Sequence, residues 1–368
     1  MTYPLIVCGT EFAGKTAICM GLLQKLREIG LRVGYFKPIG VGLKTLGGRR
    51  VDPDTALMKE AAALEDPVEL ITPITLGKRY LELLSDPEQK TMEKIKEAYS
   101  HLCKDKDIVI IEGPPRPEML TCSQCNVAHL SSELGAKVIL VVKGSGDEIA
   151  EQAVLYKKFI EDCGGDFMGV IMNFVPRQLI ERVRGILIPA IERCGAISLG
   201  VVPDRKELSQ PTIRDVASEL EAEVLTCTKH LDKLVEGYLI GAMTPESALS
   251  WLRRSAGSAL ITGGDRTDLL LTALETDISA VILTGNIYPA LSVLTRSEEK
   301  GIPIILVSQD TFTTTRQLEE MEGKITASPS SMNKIRLTRD IVSEYVDWKR
   351  IIDDYVERKA REKSSCAS

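Results

Sequence analysis

The segment Gly9-Thr10-Glu11-Phe12-Ala13-Gly14-Lys15-Thr16 has the form G-x-x-x-x-G-K-[ST], and no other stretch constrains the fold as tightly. It lies between a short apolar run, Leu5 to Cys8, and a helical pattern from Lys15 to Ile29 that closes at Gly30. A glycine-framed loop in that position turns backbone N–H groups inward. The N-terminus of the following helix adds partial positive charge, so the two together attract phosphate oxygens. Gly9, Thr10, Ala13 and Gly14 would form the cradle, Lys15 would reach the outer phosphates, and the Thr16 hydroxyl would hold Mg²⁺. The plainer alternative is a glycine-rich turn with an exposed lysine.

Strand-like apolar runs recur at Arg32 to Phe36, Asp107 to Glu112, Lys137 to Val142, Met168 to Phe174 and Ile197 to Val202. Most are apolar on successive residues, as strands covered on both faces are. Helical patterns, notably Glu148 to Cys163 and Arg177 to Cys194, separate most of them. The alternation predicts βαβ units, and so an α/β fold with a parallel sheet flanked by helices. After Pro203 a polar stretch runs from Asp204 to Lys233. A second series of strands follows at Ala259 to Ile261, Ala280 to Leu283 and Pro303 to Val307. The expected organisation is a nucleotide-binding domain over 1–210, a linker over 211–233 and a smaller α/β domain over 234–330. Residues 331–368 would form a C-terminal helix with a frayed polar tail beyond Arg358.

In a doubly wound sheet, ligands settle at the carboxyl ends of the strands. Glu112 sits at such an end and would help to hold the metal, the alternative being an ordinary solvated carboxylate. Asp52 and Asp54 begin a helical stretch, where capping and metal binding are both open. In the second half, Gly263-Gly264-Asp265, Gly285-Asn286 and Ser308-Gln309-Asp310 follow apolar strands and would share one rim. There Asp265 or Asp268 would accept from ribose hydroxyls and Arg266 would meet a phosphate. The alternative is that the glycines only permit a tight turn and Asp265 caps the next helix.

These residues carry a resemblance. Gly9-Thr10 with Ala13 to Thr16, then Tyr35-Phe36-Lys37-Pro38-Ile39-Gly40, Asp54 and Glu112-Gly113 resemble the dethiobiotin synthetase family. The form is closer to the synthetase-like N-terminal region of long phosphotransacetylases, over about the first 205 residues. The resemblance implies a P-loop NTPase fold with ATP and Mg²⁺ as cofactors. By match, Lys15 and Lys37 handle phosphate and a substrate carbamate, Asp54 and Glu112 bind Mg²⁺, Asn173 ends the strand before the adenine loop, a loop-capping side chain being the alternative, and Pro203 lies against the base. Gly40-Val41-Gly42 and Pro114 to Pro117 replace a serine-containing and a glycine-rich segment of the synthetases. The nucleotide half therefore matches and the diamine-substrate half does not.

Tyr238 to Met243 with Ile261 to Asp268 resembles a DRTGG domain, over roughly Leu234 to Ser328. That resemblance implies a regulatory module which pairs in homodimers and takes an adenine nucleotide; Gly264, Asp265, Arg266 and Asp268 are its candidate contacts here. The long enzymes continue into an acetyltransferase domain, for which 368 residues leave no room. The expectation is their regulatory half as a separate protein.

Composition narrows the partners. Lys+Arg 46 against Asp+Glu 52 gives a net charge of -6, so no broad basic footprint for nucleic acid is expected. No apolar run approaches the roughly 18 residues of a membrane span, and the N-terminus lacks a signal-peptide pattern. The nine cysteines are scattered and odd in number, as reduced thiols of a cytoplasmic protein are. Cys122, Cys125 and His129 would supply three zinc ligands, or are incidental loop residues. Three functions fit this reading. The first is an ATP- and Mg²⁺-binding regulator. The second is an ATP-dependent ligase acting on a small carboxylate or amine. The third is a non-enzymatic activator of a separate acetyltransferase.

Overall fold

The computed structural model describes residues 2–41, 44–46, 49–77, 80–81, 90–321 and 331–366. Gly42, and the end of the second domain expected over 328–330, lie outside them. The chain forms two compact units, Met1–Asp204 with Ser331–Ser368, and Arg205–Ser330.

The first unit is built on β1 (Tyr3–Gly9), β2 (Val33–Phe36), β3 (Ile108–Glu112), β4 (Lys137–Lys143), β5 (Asp166–Val175) and β6 (Ser198–Pro203). They pair in the order β6-β5-β4-β1-β3-β2, every pairing parallel. The continuous apolar runs are explained by this arrangement: β1 and β3 are buried along their whole length, which only a sheet covered on both faces allows. Helices α1 (Lys15–Glu28) and α2 (Pro53–Ala61) follow the strands that carry the site. The helix expected from Arg177 to Cys194 is broken. A 3₁₀ turn, one short α turn and a π segment, Val183–Leu187, precede the last piece, Ile188–Arg193. Pro189 has no N–H to give to the preceding turn, and the wider π geometry absorbs that loss.

The C-terminal segment is two helices, α3 (Ser331–Tyr345) and α4 (Trp348–Cys366), and both belong to the first unit. Helix α3 lies so close along α1 that a Cβ on Gly21 would be 2.5 Å from the Thr338 carbonyl oxygen. Between the helices Val346 bridges to Gly200, and the Asp347 N–H donates to the Leu199 carbonyl at 2.7 Å. The Tyr3 hydroxyl donates to Asp354 Oδ2 at 2.6 Å, and Arg358 donates to the Gly135 carbonyl at 2.7 Å. The tail expected to fray from Arg358 is instead helical as far as Cys366, anchored by that guanidinium.

The second unit holds β7 (Glu223–Val224), β8 (Tyr238–Ile240), β9 (Ala259–Gly263), β10 (Ala280–Thr284) and β11 (Ile304–Leu306), in the order β7-β11-β10-β9-β8. Only the β7–β11 pairing is antiparallel. Alternate residues face opposite sides of a strand, and the core divides accordingly. Ala259, Ile261, Ala280, Ile282 and Ile305 pack on one face, while Leu260, Val281, Leu283, Ile304 and Leu306 pack on the other. Residues 211–233, expected as a linker, carry structure in this unit. Thr212 and Asp215 form a capping box on the helix Ile213–Glu219, whose Ile213, Val216 and Ala217 seal the first face. No helix among the described residues is long and apolar enough to cross a membrane.

Candidate functional site

The phosphate loop leaves the middle of the first sheet. Gly9 presses against β4, where a Cβ would stand 2.2 Å from the Val141 carbonyl oxygen, and the Thr10 N–H donates to that carbonyl at 3.1 Å. Gly14 has φ +80°, and a Cβ there would meet Asn173 Nδ2 at 2.6 Å. Both glycines of the motif are thus required by close approach, the second also by its backbone. Helix α1 begins with no side-chain cap, so no side chain claims the amides that would face a phosphate.

Strand register then assembles the acidic side. Val7 lies opposite Glu112 and Phe36 opposite Ile111, which sets Lys37 and Glu112 side by side at the carboxyl ends of β2 and β3. The Thr16 hydroxyl donates to Glu112 Oε1 at 2.9 Å, and the Tyr35 hydroxyl donates to Oε2 at 2.8 Å. The Lys37 ammonium contacts Asp54, Asp52 Oδ1 at 3.2 Å and Glu112 Oε1 at 3.5 Å. Asp52 also caps α2, accepting from the Thr55 N–H at 3.0 Å, and its other oxygen accepts from the Val41 N–H at 3.1 Å. The structure gives the cap to Asp52, while Asp54 sits in the first turn of α2 facing Lys37.

Burial sets the electrostatics. It would by itself lower the Lys37 value, but Glu112, Asp54 and Asp52 together outweigh it and hold the ammonium charged, well above the usual lysine range. Burial raises Glu112, against the pull of Lys37 and the Tyr35 hydrogen bond. Burial also lowers Lys15, opposed by Glu112. The side chain of Lys15 donates to the carbonyls of Pro115 at 2.9 Å and Thr10 at 3.4 Å. The proline-rich segment therefore lies at the phosphate lysine.

Asn173 braces the loop: its Nδ2 donates to the Ala13 carbonyl at 2.9 Å, and its Oδ1 accepts from the Phe174 N–H at 2.9 Å. Pro203 ends β6 opposite Val175 and is buried. The oxygen donors Thr16, Asp54 and Glu112 have the hard chemistry that Mg²⁺ takes. With the glycine cradle closed at Gly9 and Gly14, the residues fit a nucleotide with its Mg²⁺. Bound there, the ion would neutralise phosphate charge.

In the second unit, Gly264 lets two rim loops meet, since a Cβ would be 1.8 Å from the Ile287 carbonyl oxygen. Asp265 and Asp268 are exposed on that rim. Arg266 donates to the carbonyls of Met243 at 2.7 Å and Gly241 at 3.5 Å, tying the end of β8 to the loop after β9. Arg266 itself is the N-cap of the helix Thr267–Ala273, with no side-chain cap bond, so Asp265 does not cap that helix. The zinc reading is not supported: Cys125 is buried and Cys122 exposed, and His129 Nδ1 pairs with Asn126 at 2.9 Å. Among the described residues no three His, Cys, Asp or Glu side chains gather as a metal group. Sequence reasoning missed Tyr35, although it stands on β2 two residues before Lys37, which follows the strand directly, a spacing that in extended chain puts both side chains on one face.

A glycine cradle at the end of a central parallel strand, with a lysine, a hydroxyl and a buried carboxylate around it, defines a P-loop nucleotide-binding protein. The AAA domain family matches residues 4–235, and the chain belongs to it; the DRTGG domain matches residues 215–321. The phosphate acetyltransferase of Nitratidesulfovibrio vulgaris is 28% identical over 98% of this chain and 53% of its own length. That of Pseudomonas putida is 27% identical over 93% of this chain and 50% of its own. The chain spans about half the length of the curated relatives it matches. The solved CBS and DRTGG regulatory region of Clostridium perfringens pyrophosphatase, complexed with diadenosine tetraphosphate, covers 38% of this chain and 61% of its own at 19% identity. The TM-score with that structure is 0.29.

Proposed function

We propose that this chain is a nucleotide-responsive regulator. Its first unit binds ATP with Mg²⁺ through Gly9 to Thr16, with Lys15 and Lys37 on the phosphates and Thr16, Asp54 and Glu112 toward the metal. Its second unit senses an adenine nucleotide or metabolite at the rim carrying Gly264, Asp265, Arg266 and Asp268, and pairs in a cytoplasmic homodimer. The observation that carries the reading is the register of β1, β2 and β3, which gathers Thr16, Lys37 and Glu112 from distant parts of the chain beside one phosphate loop. Calorimetry with ATP and Mg²⁺ tests it. Binding is expected in the wild type and lost in Lys15→Ala, and equal binding by both proteins refutes it.

A second observation favours a particular target. Nearly the whole chain matches one half of phosphate acetyltransferases, which supports acetyl transfer as the process regulated. Native pull-down would show an acetyltransferase chain bound in a nucleotide-dependent way. ADP release that one small carboxylate or amine accelerates would point to the ligase instead.

A further inference from the structure

We propose that Lys37 is a tethered cation that holds the acidic cluster in place of a divalent ion, so that the cluster takes Mg²⁺ only when a nucleotide draws the ammonium away. The proposal deepens the ATP- and Mg²⁺-binding reading and rests on it. Three carboxylates, Asp52, Asp54 and Glu112, surround the Lys37 ammonium, whose side chain is 7% exposed. Most of their other oxygens are already committed. Glu112 Oε2 accepts from Tyr35 at 2.8 Å. Asp52 Oδ1 accepts from Thr55 and Asp52 Oδ2 from Val41. The oxygen left toward the phosphate loop is Glu112 Oε1, and Thr16 and Lys37 share it at 2.9 and 3.5 Å.

A divalent ion beside Thr16 needs that same oxygen and the Asp54 carboxylate. An ammonium and a divalent cation a few ångströms apart in a buried site repel strongly, so the two exclude each other. Lysine suits the substitute's role: it is a compact charge on a flexible four-carbon stem and changes partners by rotation. Phosphate oxygens arriving at the adjacent loop offer it another anion. Exchange of partners then couples metal binding to nucleotide binding, and keeps a cation beside the buried Asp52 and Glu112 in both states.

The test uses Mn²⁺ as the probe, its free fraction followed by electron paramagnetic resonance. In the double variant Lys37→Met with Asp52→Asn, one charge of each sign is removed. Asparagine keeps the cap on α2, and Thr16, Asp54 and Glu112 remain. Without nucleotide, the double variant is expected to bind Mn²⁺ on the order of tenfold tighter than wild type, and Mn²⁺ to raise its melting temperature but not that of wild type. Wild type should bind Mn²⁺ tightly only with AMP-PNP present. Equal or weaker Mn²⁺ binding by the folded variant overturns the proposal. Tight nucleotide-free binding by wild type also overturns it, a result that needs no variant. The Mn²⁺ gain of the variant is read without nucleotide. A wild type that never binds ATP thus refutes the functional reading without being mistaken for failure of the cation exchange.

Discussion

Replacing Tyr35 by phenylalanine removes a single hydroxyl from the buried strand β2 and leaves the ring in place. The loss is the 2.8 Å hydrogen bond to Glu112 Oε2, at a carboxylate only 2% exposed. A hydrogen bond to a charged group contributes about 1.5–3 kcal/mol, and water cannot replace it there, so a destabilisation of about 2 kcal/mol is expected where Glu112 is ionised. The effect has a pH signature. Burial holds Glu112 above its ordinary value of 4.5, while Lys37 and the Tyr35 bond pull it down. A carboxyl whose folded value is raised adds stability that is complete below the unfolded value and is lost as pH rises through the folded one. Without the hydroxyl the folded value climbs further, so the variant loses more over that rise. The gap between wild type and Tyr35→Phe is therefore smallest at pH 4.5 and below and widens as pH rises through the raised folded value. Urea unfolding at a series of pH values, with the slope checked for constancy, measures it. A gap that stays constant with pH, or that is below about 0.5 kcal/mol where Glu112 is ionised, refutes the role given to Tyr35.

Other outcomes follow from the same geometry. Gly9→Ala should abolish nucleotide binding and cost about 1–3 kcal/mol by overpacking, because its Cβ would lie 2.2 Å from the Val141 carbonyl oxygen; unaltered calorimetric binding would contradict the tight loop. Gly200→Ala places a Cβ 2.1 Å from the Tyr345 carbonyl oxygen at φ +153°, and its urea midpoint should fall measurably; no change would mean that the α3–α4 junction does not clasp the sheet. Lys15, lowered by burial, would bind phosphate in its charged form. Nucleotide affinity should thus decline as pH rises through that lowered value, before the ordinary 10.5 is reached, in a fluorescent-nucleotide titration. A profile flat to pH 10 in a protein that needs Lys15 would count against it. Leu260→Ala, in the second unit's core, should cost about 2–5 kcal/mol by urea unfolding and leave nucleotide binding to the first unit intact.

Local patterns made much of the molecule legible. The motif Gly9 to Thr16 between an apolar run and a helix names the phosphate loop, because backbone curvature and helix onset are set by residues a few positions apart. Continuous apolar runs separated by helices dictated one parallel and one mostly parallel sheet, and the parallel strands dictated where ligands gather. Glu112 at a strand end was visible for the same reason, whereas Lys37 was marked only by the resemblance to the synthetases.

Only the tertiary structure decided the contacts between residues far apart in the chain. Asp52, directly before Pro53, carries the local cap signal and accepts from the Thr55 N–H, while the bond of its other oxygen to the Val41 N–H is supplied by the tertiary structure. Helical periodicity in 331–366 says that the segment has an apolar face, not which face it meets. The bare backbone at Gly21 and Gly200 settles that it returns to the first unit. Nothing in a local window distinguishes a lysine that reaches a phosphate from one enclosed by three carboxylates. That choice belongs to strand register, which pairs Phe36 with Ile111 and so delivers an ammonium to the end of the acidic strand.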